Sequence, residues 1–197
     1  MKKLLAVDCC IRGGSSKTKE VLDAFLEGLG EGIEIEYLKL DEENLAPMTG
    51  AFFDQRERLL SEGNLAHPRF RYAHQFARAD EIVIAAPFWD LSFPALLKVY
   101  IEQLCVDGIT FRSGHGGLEG TCRARDLVYI TTRGGIYEND PLEMGSRYID
   151  AMHTFFGIEN YFCIAADGVN MSSVDTQAVI EKAKLDAHAL AARISEE

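Results

Sequence analysis

Glu81-Ile-Val-Ile-Ala-Ala-Pro87 is an apolar run with nowhere to put a polar face. Ile, Val and Ala in such a run suit a strand covered on both sides. Pro87 ends it, because proline has no N–H to give a sheet ladder. An aromatic corner follows at once, Phe88-Trp-Asp-Leu-Ser-Phe-Pro94, with the chain's only tryptophan. Large flat side chains at the carboxyl end of a buried parallel strand are what a planar ligand would stack against. Taken alone, however, the stretch reads better as a core strand running into an aromatic cluster.

The remaining chain alternates in type. Leu4–Cys9 predicts a first buried strand. Thr18–Leu29 predicts an amphipathic helix through Val21, Leu22, Phe25 and Leu29, with Ser15 or Ser16 as its N-cap. Ile33–Leu40 alternates at period two, as a half-exposed strand near a sheet edge does. Asp41–Asp80 predicts one long crossover with helices around Gln55–Ser61 and Phe70–Ala79, since it cannot build a core of its own. Beyond the aromatic corner come a helix from Ser92 or Phe93 to Cys105 and a Gly-rich loop over Gly108–Gly120. A strand at Arg125–Thr131, a helix at Leu142–Phe156, a strand at Asn160–Ala166 and a closing helix at Asp175–Ile194 complete the pattern. Such alternation predicts an α/β fold, one domain over residues 1–197, with helices on both faces of a parallel sheet. Five strands favour the flavodoxin-like doubly wound order 2-1-3-4-5. Strands one and three are then neighbours, and the crevice at their carboxyl ends is the switch point.

Charge narrows the partners. A net charge of −11 and a pI near 4.9 argue against nucleic acid and against anionic membrane surfaces. The start, Met1–Asp8, fails as a secretory signal because Asp8 interrupts its apolar run and no small-residue cleavage site follows. No apolar stretch has the length to span a bilayer. Five cysteines without CxxC spacing imply neither a disulfide framework nor a zinc site. A cytoplasmic protein without a metal is expected, and Cys9-Cys10 is read as a buried pair rather than a redox sensor.

Three loops leave the carboxyl ends of strands one, three and four. Gly13-Gly-Ser-Ser-Lys-Thr18 opens a helix, where free N–H groups, the helix dipole, hydroxyls and Lys17 together suit a single terminal phosphate. It is neither a GxxxxGK[ST] loop nor GxGxxG. A hydroxyl-capped helix with flexible glycines explains it about as well. Thr132-Arg-Gly-Gly135 puts two glycines and a fixed cation just after a buried strand, which permits close ligand approach or makes an ordinary tight turn. Together the three loops frame one crevice, with a phosphate site at one end and an aromatic shelf at the other. Flavin mononucleotide (FMN) matches that outline.

The sequence resembles the flavodoxin-like, FMN-dependent NADH:quinone oxidoreductase and azoreductase family. The likeness lies in Ile82-Val-Ile-Ala-Ala-Pro87 with its aromatic corner, Gly108-Ile-Thr-Phe-Arg112, Leu118-Glu-Gly120 and Thr132-Arg-Gly-Gly-Ile136, in order over nearly the whole chain. It implies a homodimer that binds FMN and takes a hydride from NADH or NADPH. The hydride would pass through flavin N5 to quinones or azo compounds in two steps. It places Cys10, Ser16, Lys17 and Thr18 at the phosphate and ribityl end, and Pro87, Phe88, Trp89, Asp90 and Leu91 around the isoalloxazine. Thr132, Arg133, Gly134 and Gly135 fall on the loop meeting the ring's pyrimidine edge. Phe155 and Ser113 would face the substrate, Phe155 over a partner's flavin. The family usually shows serine at Cys10, asparagine at Asp90, tyrosine at Ser113 and histidine at Tyr137.

In this reading the cofactor carries the chemistry. Arg133 and the Gly134–Gly135 amides would stabilise negative charge at the ring, and Tyr137 would donate a hydrogen bond to the acceptor, or merely pack. His115 is the histidine expected nearest the site. A non-catalytic electron carrier of the flavodoxin type, and a flavin reductase using FMN as a dissociable substrate, are the competing functions.

Overall fold

The computed structural model describes residues 1–114 and 116–196; His115 lies outside them. Five parallel strands, β1 (Lys2–Asp8), β2 (Ile33–Lys39), β3 (Glu81–Ala85), β6 (Asp126–Thr132) and β7 (Asn160–Ala166), form one sheet in the order β2-β1-β3-β6-β7. Counting only these strands, that is the expected order 2-1-3-4-5. The flavodoxin-like topology is therefore present.

The continuous apolar runs are explained by alternation across a doubly covered sheet. Leu5, Val7, Ile82, Ile84, Leu127 and Tyr129 point to one face. There they meet α3 (Arg71–Arg78), α4 (Ala95–Leu104) and α5 (Gly145–Phe156) through residues such as Phe76, Leu97 and Ile149. Leu4, Ala6, Val83, Ala85, Val128 and Ile130 point to the other, covered by α1 (Lys17–Glu27) and α6 (Thr176–Glu196). Small residues on α6, Ala183, Ala187 and Ala191, bring α1 close. A Cβ on Gly28 would stand 2.6 Å from the His188 carbonyl oxygen.

The long crossover carries α2 (Gly50–Ser61) and α3. Helix α2 begins before the expected Gln55. Its buried Leu59 joins Phe70, Ala73, Val106 and Ile109 in a small cluster shared with the segment after α4. The Gly108–Gly120 segment is not a plain loop. Phe111–Gly114 (β4) and Gly117–Gly120 (β5) pair antiparallel, with Phe111 packed on Phe155 at 4.9 Å between ring centroids. Glycines at the carboxyl end of β4 and at both ends of β5 hid the hairpin, because glycine is depleted in strands. Gly120 is required there, since a Cβ would come within 2.1 Å of the Gly157 nitrogen.

Glu81 is 1% exposed at the amino end of β3, paired with Lys2 Nζ at 2.7 Å and accepting the Asp126 N–H at 3.0 Å. Burial raises its pKa, Lys2 lowers it, and Asp126 raises it. The net direction is upward, so the folded chain holds this proton more tightly than the unfolded one. The contribution of Glu81 to stability is then present below the ordinary glutamate range and is lost as pH rises through the raised value. We expect Glu81→Gln to flatten that part of the stability-against-pH curve in urea titrations. A curve parallel to the wild type's would refute it. Gly120→Ala should cost about 1–3 kcal/mol by overpacking, read as a lowered Tm.

Candidate functional site

The switch point between β1 and β3 is walled by loops whose positions are tied to one another. The first runs from Cys9 to Ser16. Gly13 takes φ 55°, a conformation that favours glycine, and lets the backbone close a short 3-10 turn over Gly13–Ser15. Ser16 caps α1, its Oγ accepting the Lys19 N–H at 3.4 Å. The helix therefore opens at Lys17, one residue earlier than expected, and its first residues, Lys17 and Thr18, line the crevice.

The aromatic corner is a tight two-residue hairpin. Trp89 and Ser92 exchange backbone hydrogen bonds at 3.0 and 2.8 Å, and the two residues between them, Asp90 and Leu91, have φ 49° and 67°. Two central residues with positive φ define a type I′ turn, which tolerates Asp but strains Leu. The turn delays α4, expected from Ser92 or Phe93, until Ala95. Its tip is held by the next loop, for Met144 N–H donates to the Leu91 carbonyl at 3.0 Å.

Thr132–Tyr137 and the segment after β7 form the opposite wall. Gly168, Val169 and Asn170 donate N–H groups to the carbonyls of Gly135, Arg133 and Gly134. A Cβ on Gly134 would lie 2.9 Å from Asn170 Nδ2, so any side chain there would have to displace the Asn170 amide. Arg133 is buried, 5% exposed, and turns away from the crevice. Its guanidinium meets Asp167 at 3.1 Å and Glu143 at 3.5 Å, and its Nε has no acceptor among the described residues. Asp167 also accepts the Tyr137 N–H at 2.7 Å, fixing the far end of the loop. Tyr137 in turn packs on Phe88 at 4.6 Å between ring centroids.

A cavity of about 270 Å³ lies between these walls. The structure brings Ser16, Lys17, Thr18, Pro87, Phe88, Trp89, Thr132 and Gly134 to its lining, all singled out from the sequence. At its floor the hydroxyls of Thr18 and Thr132 are 2.7 Å apart, both residues buried. Other candidates lie elsewhere. Cys10 is 2% exposed with its thiol directed at the Ala85 carbonyl, 3.8 Å away. Asp90 and Leu91 sit exposed at the turn tip, and Gly135 rests against the Tyr137 ring at 3.1 Å from a built Cβ. Arg133 and Tyr137 line a separate cavity of about 500 Å³ beside α5. Phe155 packs between Phe111 and Phe156, and Ser113 stands exposed on β4.

Ser15, from the Gly13–Thr18 stretch, also lines the cavity, and three lining residues were not anticipated: Arg12, Val169 and Asn170. The last two follow the fifth strand's carboxyl end, and the switch-point rule extended to that strand would have included them. Arg12 stood inside a loop already singled out, as its only arginine. The described lining holds two cations, Arg12 and Lys17, and no carboxylate. In a chain of net charge −11 that is a local reversal suited to an anion. No group of His, Cys, Asp and Glu among the described residues could hold a metal ion, and no helix is long and apolar enough to cross a membrane.

Comparison with known proteins agrees with this geometry. The sequence pattern of the flavodoxin-like fold matches residues 2–191. An FMN-dependent NADH:quinone oxidoreductase of Clostridium acetobutylicum is 39% identical over 181 residues, covering 87% of this chain and 90% of that protein. The crystal structure of an azoreductase from Bacillus anthracis superposes with a TM-score of 0.87 at 25% identity, over 98% of this chain and all (100%) of that one. An FMN-dependent NADH-azoreductase from the same organism, solved in complex with FMN, gives 0.85 at 24% identity, over 99% and 100% of the two chains. Fold and crevice thus define a flavodoxin-like protein. Within that class, the chain belongs to the family of FMN-dependent NADH:quinone oxidoreductases.

Burial raises the thiol pKa of Cys9 to about 12, with Asp8 adding to the shift, and raises that of Cys10 for the same two reasons. Neither should react with a thiol reagent in the folded chain at pH 8, and both should label only on unfolding. Mass mapping of adducts on the native chain checks this, and a native adduct on Cys10 would refute it.

Proposed function

We propose that the chain binds FMN in the switch-point cavity and oxidises NADH or NADPH at the expense of a quinone or azo acceptor. The observation that carries the reading is one cavity joining a cationic, hydroxyl-lined helix start to the Phe88–Trp89 shelf. Related proteins bearing FMN-dependent names support it. The residues present fit the cofactor: Ser16, Lys17 and Thr18 for the phosphate end, Phe88 and Trp89 for the ring, and Gly134 for close approach at its polar edge. The flavin, when bound, would supply a hydride acceptor and donor in a single group.

The protein's part is placement and charge. Phe88 and Trp89 give the ring an apolar seat that excludes water from one side. Past the end of β3 the Ala86 and Phe88 N–H groups still donate to the Ile130 and Thr132 carbonyls of β6, which holds the aromatic corner beside the crevice. Gly134 and Gly135 leave room for the ligand while their carbonyls are held by the segment after β7. Arg133, already paired with Asp167 and Glu143, acts as a positioning residue for that loop rather than as a free cation. Tyr137, whose ring packs on Phe88 and which lines the neighbouring cavity, would offer its hydroxyl to an acceptor entering above the shelf. Leu91, Ile136, Leu142 and Met144 are exposed apolar residues near the same rim, and a second copy of the chain would cover them. Donor and acceptor would use the slot in turn, which gives a two-step cycle.

Purified full-length chain should carry a flavin absorption spectrum that NADH bleaches anaerobically and benzoquinone restores. Steady turnover of NADH with benzoquinone should give parallel double-reciprocal lines. Colourless protein with readily reversed flavin binding would favour the reductase reading, and a bound flavin without turnover the carrier. Tyr137→Phe should lower quinone kcat roughly tenfold if its hydroxyl donates to the acceptor in the transition state. An unchanged kcat would leave the ring with a packing role only.

A further inference from the structure

We infer that Arg12 grips the terminal phosphate of the cofactor and makes the site selective for FMN over riboflavin. The inference rests on the flavin reading above. Its basis is which polar groups around the cavity are already committed. The Lys17 ammonium donates to the Val169 carbonyl at 2.8 Å, an oxygen that also accepts the Thr176 hydroxyl at 3.1 Å. Its first task is therefore to tie α1 to the segment after β7. The Ser16 hydroxyl accepts the Lys19 N–H, and the Thr18 and Thr132 hydroxyls pair with each other, so what these groups keep for a ligand is neutral O–H donors and no charge. Cys10 is turned inward to Ala85.

Arg12 differs from all of these. It lines the cavity, it is exposed, and its guanidinium makes no hydrogen bond or ion pair among the described residues. The chain has 31 acidic residues against 20 Lys and Arg, so an arginine left unpaired beside a cavity is out of keeping with its surroundings. Its backbone, by contrast, is held firmly. The Arg12 carbonyl accepts the Ser15 hydroxyl at 3.0 Å and the Ser15 N–H at 3.3 Å. The side chain is thus presented from a fixed base at the mouth of α1. A guanidinium offers parallel donors matched to phosphate oxygens, and the helix start adds to the field on the same anion.

The test is binding, read without turnover. Full-length chain freed of flavin is titrated with FMN and with riboflavin, following flavin fluorescence at low and moderate salt. Wild type should bind FMN more tightly than riboflavin, with only the FMN affinity falling as salt rises. Arg12→Ala should lose roughly tenfold or more in FMN affinity while riboflavin binding stays within about twofold. Arg12→Lys should recover part of the loss, keeping the charge but not the fork. Near-unchanged FMN binding in Arg12→Ala overturns the inference while leaving the flavin reading in place. Equal losses for both flavins would also overturn it, by showing a structural role. A wild-type chain that binds neither flavin removes the flavin reading and this inference together.

Discussion

The structure depends on keeping β3 dry on both faces. Its five residues are all buried, and each of its neighbours, β1 and β6, pairs with it in parallel. A parallel strand cannot be reached by a tight turn, so every connection must cross over, and the right-handed crossovers lay helices on the faces. The chain passes from β1 outward to β2, then returns across the sheet to β3 through the long α2–α3 segment. The connections after β1 and β3 thus part to opposite faces of the sheet. The opening left between them is a direct result of covering an apolar strand.

What fills the rim of that opening is governed by a buried charge. Arg133 would be costly in the interior without carboxylates, and Asp167 and Glu143 supply them. Because those acids come from the ends of β7 and the approach to α5, satisfying the arginine also fixes three segments relative to one another. Glu143 extends the link by accepting the Ser146 N–H at 2.9 Å at the start of α5. The aromatic shelf joins the same framework through Phe88 on Tyr137 and through Met144 on the Leu91 carbonyl. These contacts tie the walls of the crevice to one another where the sequence showed only glycines and turn residues.

Strand order, the two-sided core and the position of the crevice were legible because they follow from hydrophobic periodicity, which each residue carries locally. Leu4 to Asp8 and Ile82 to Ala85 could hardly have been placed otherwise. The hairpin of β4 and β5 was not legible, since its pairing rests on Phe111 meeting Phe155 and on a glycine that lets two backbones touch. Most of the cavity lining could be read from loops at strand ends. The direction of Arg133 could not, because it is decided by acids 10 and 34 positions further along the chain. Nor could the inward thiol of Cys10, or the contribution of Val169 and Asn170, which arrive from the far end of the sheet.

The turn at Asp90 and Leu91 has an implication for how this site can diversify. Leu91 stays in a left-handed conformation that its branched side chain disfavours, and the bond from Met144 helps keep it there. A substitution that loosened either partner would release the other, so the shelf and the start of α5 must change together or not at all. Variation is freer at Ile136 and Leu142, which are exposed. Relatives with other acceptors would be expected to differ there first, and to keep the geometry of the turn as an inherited fixture.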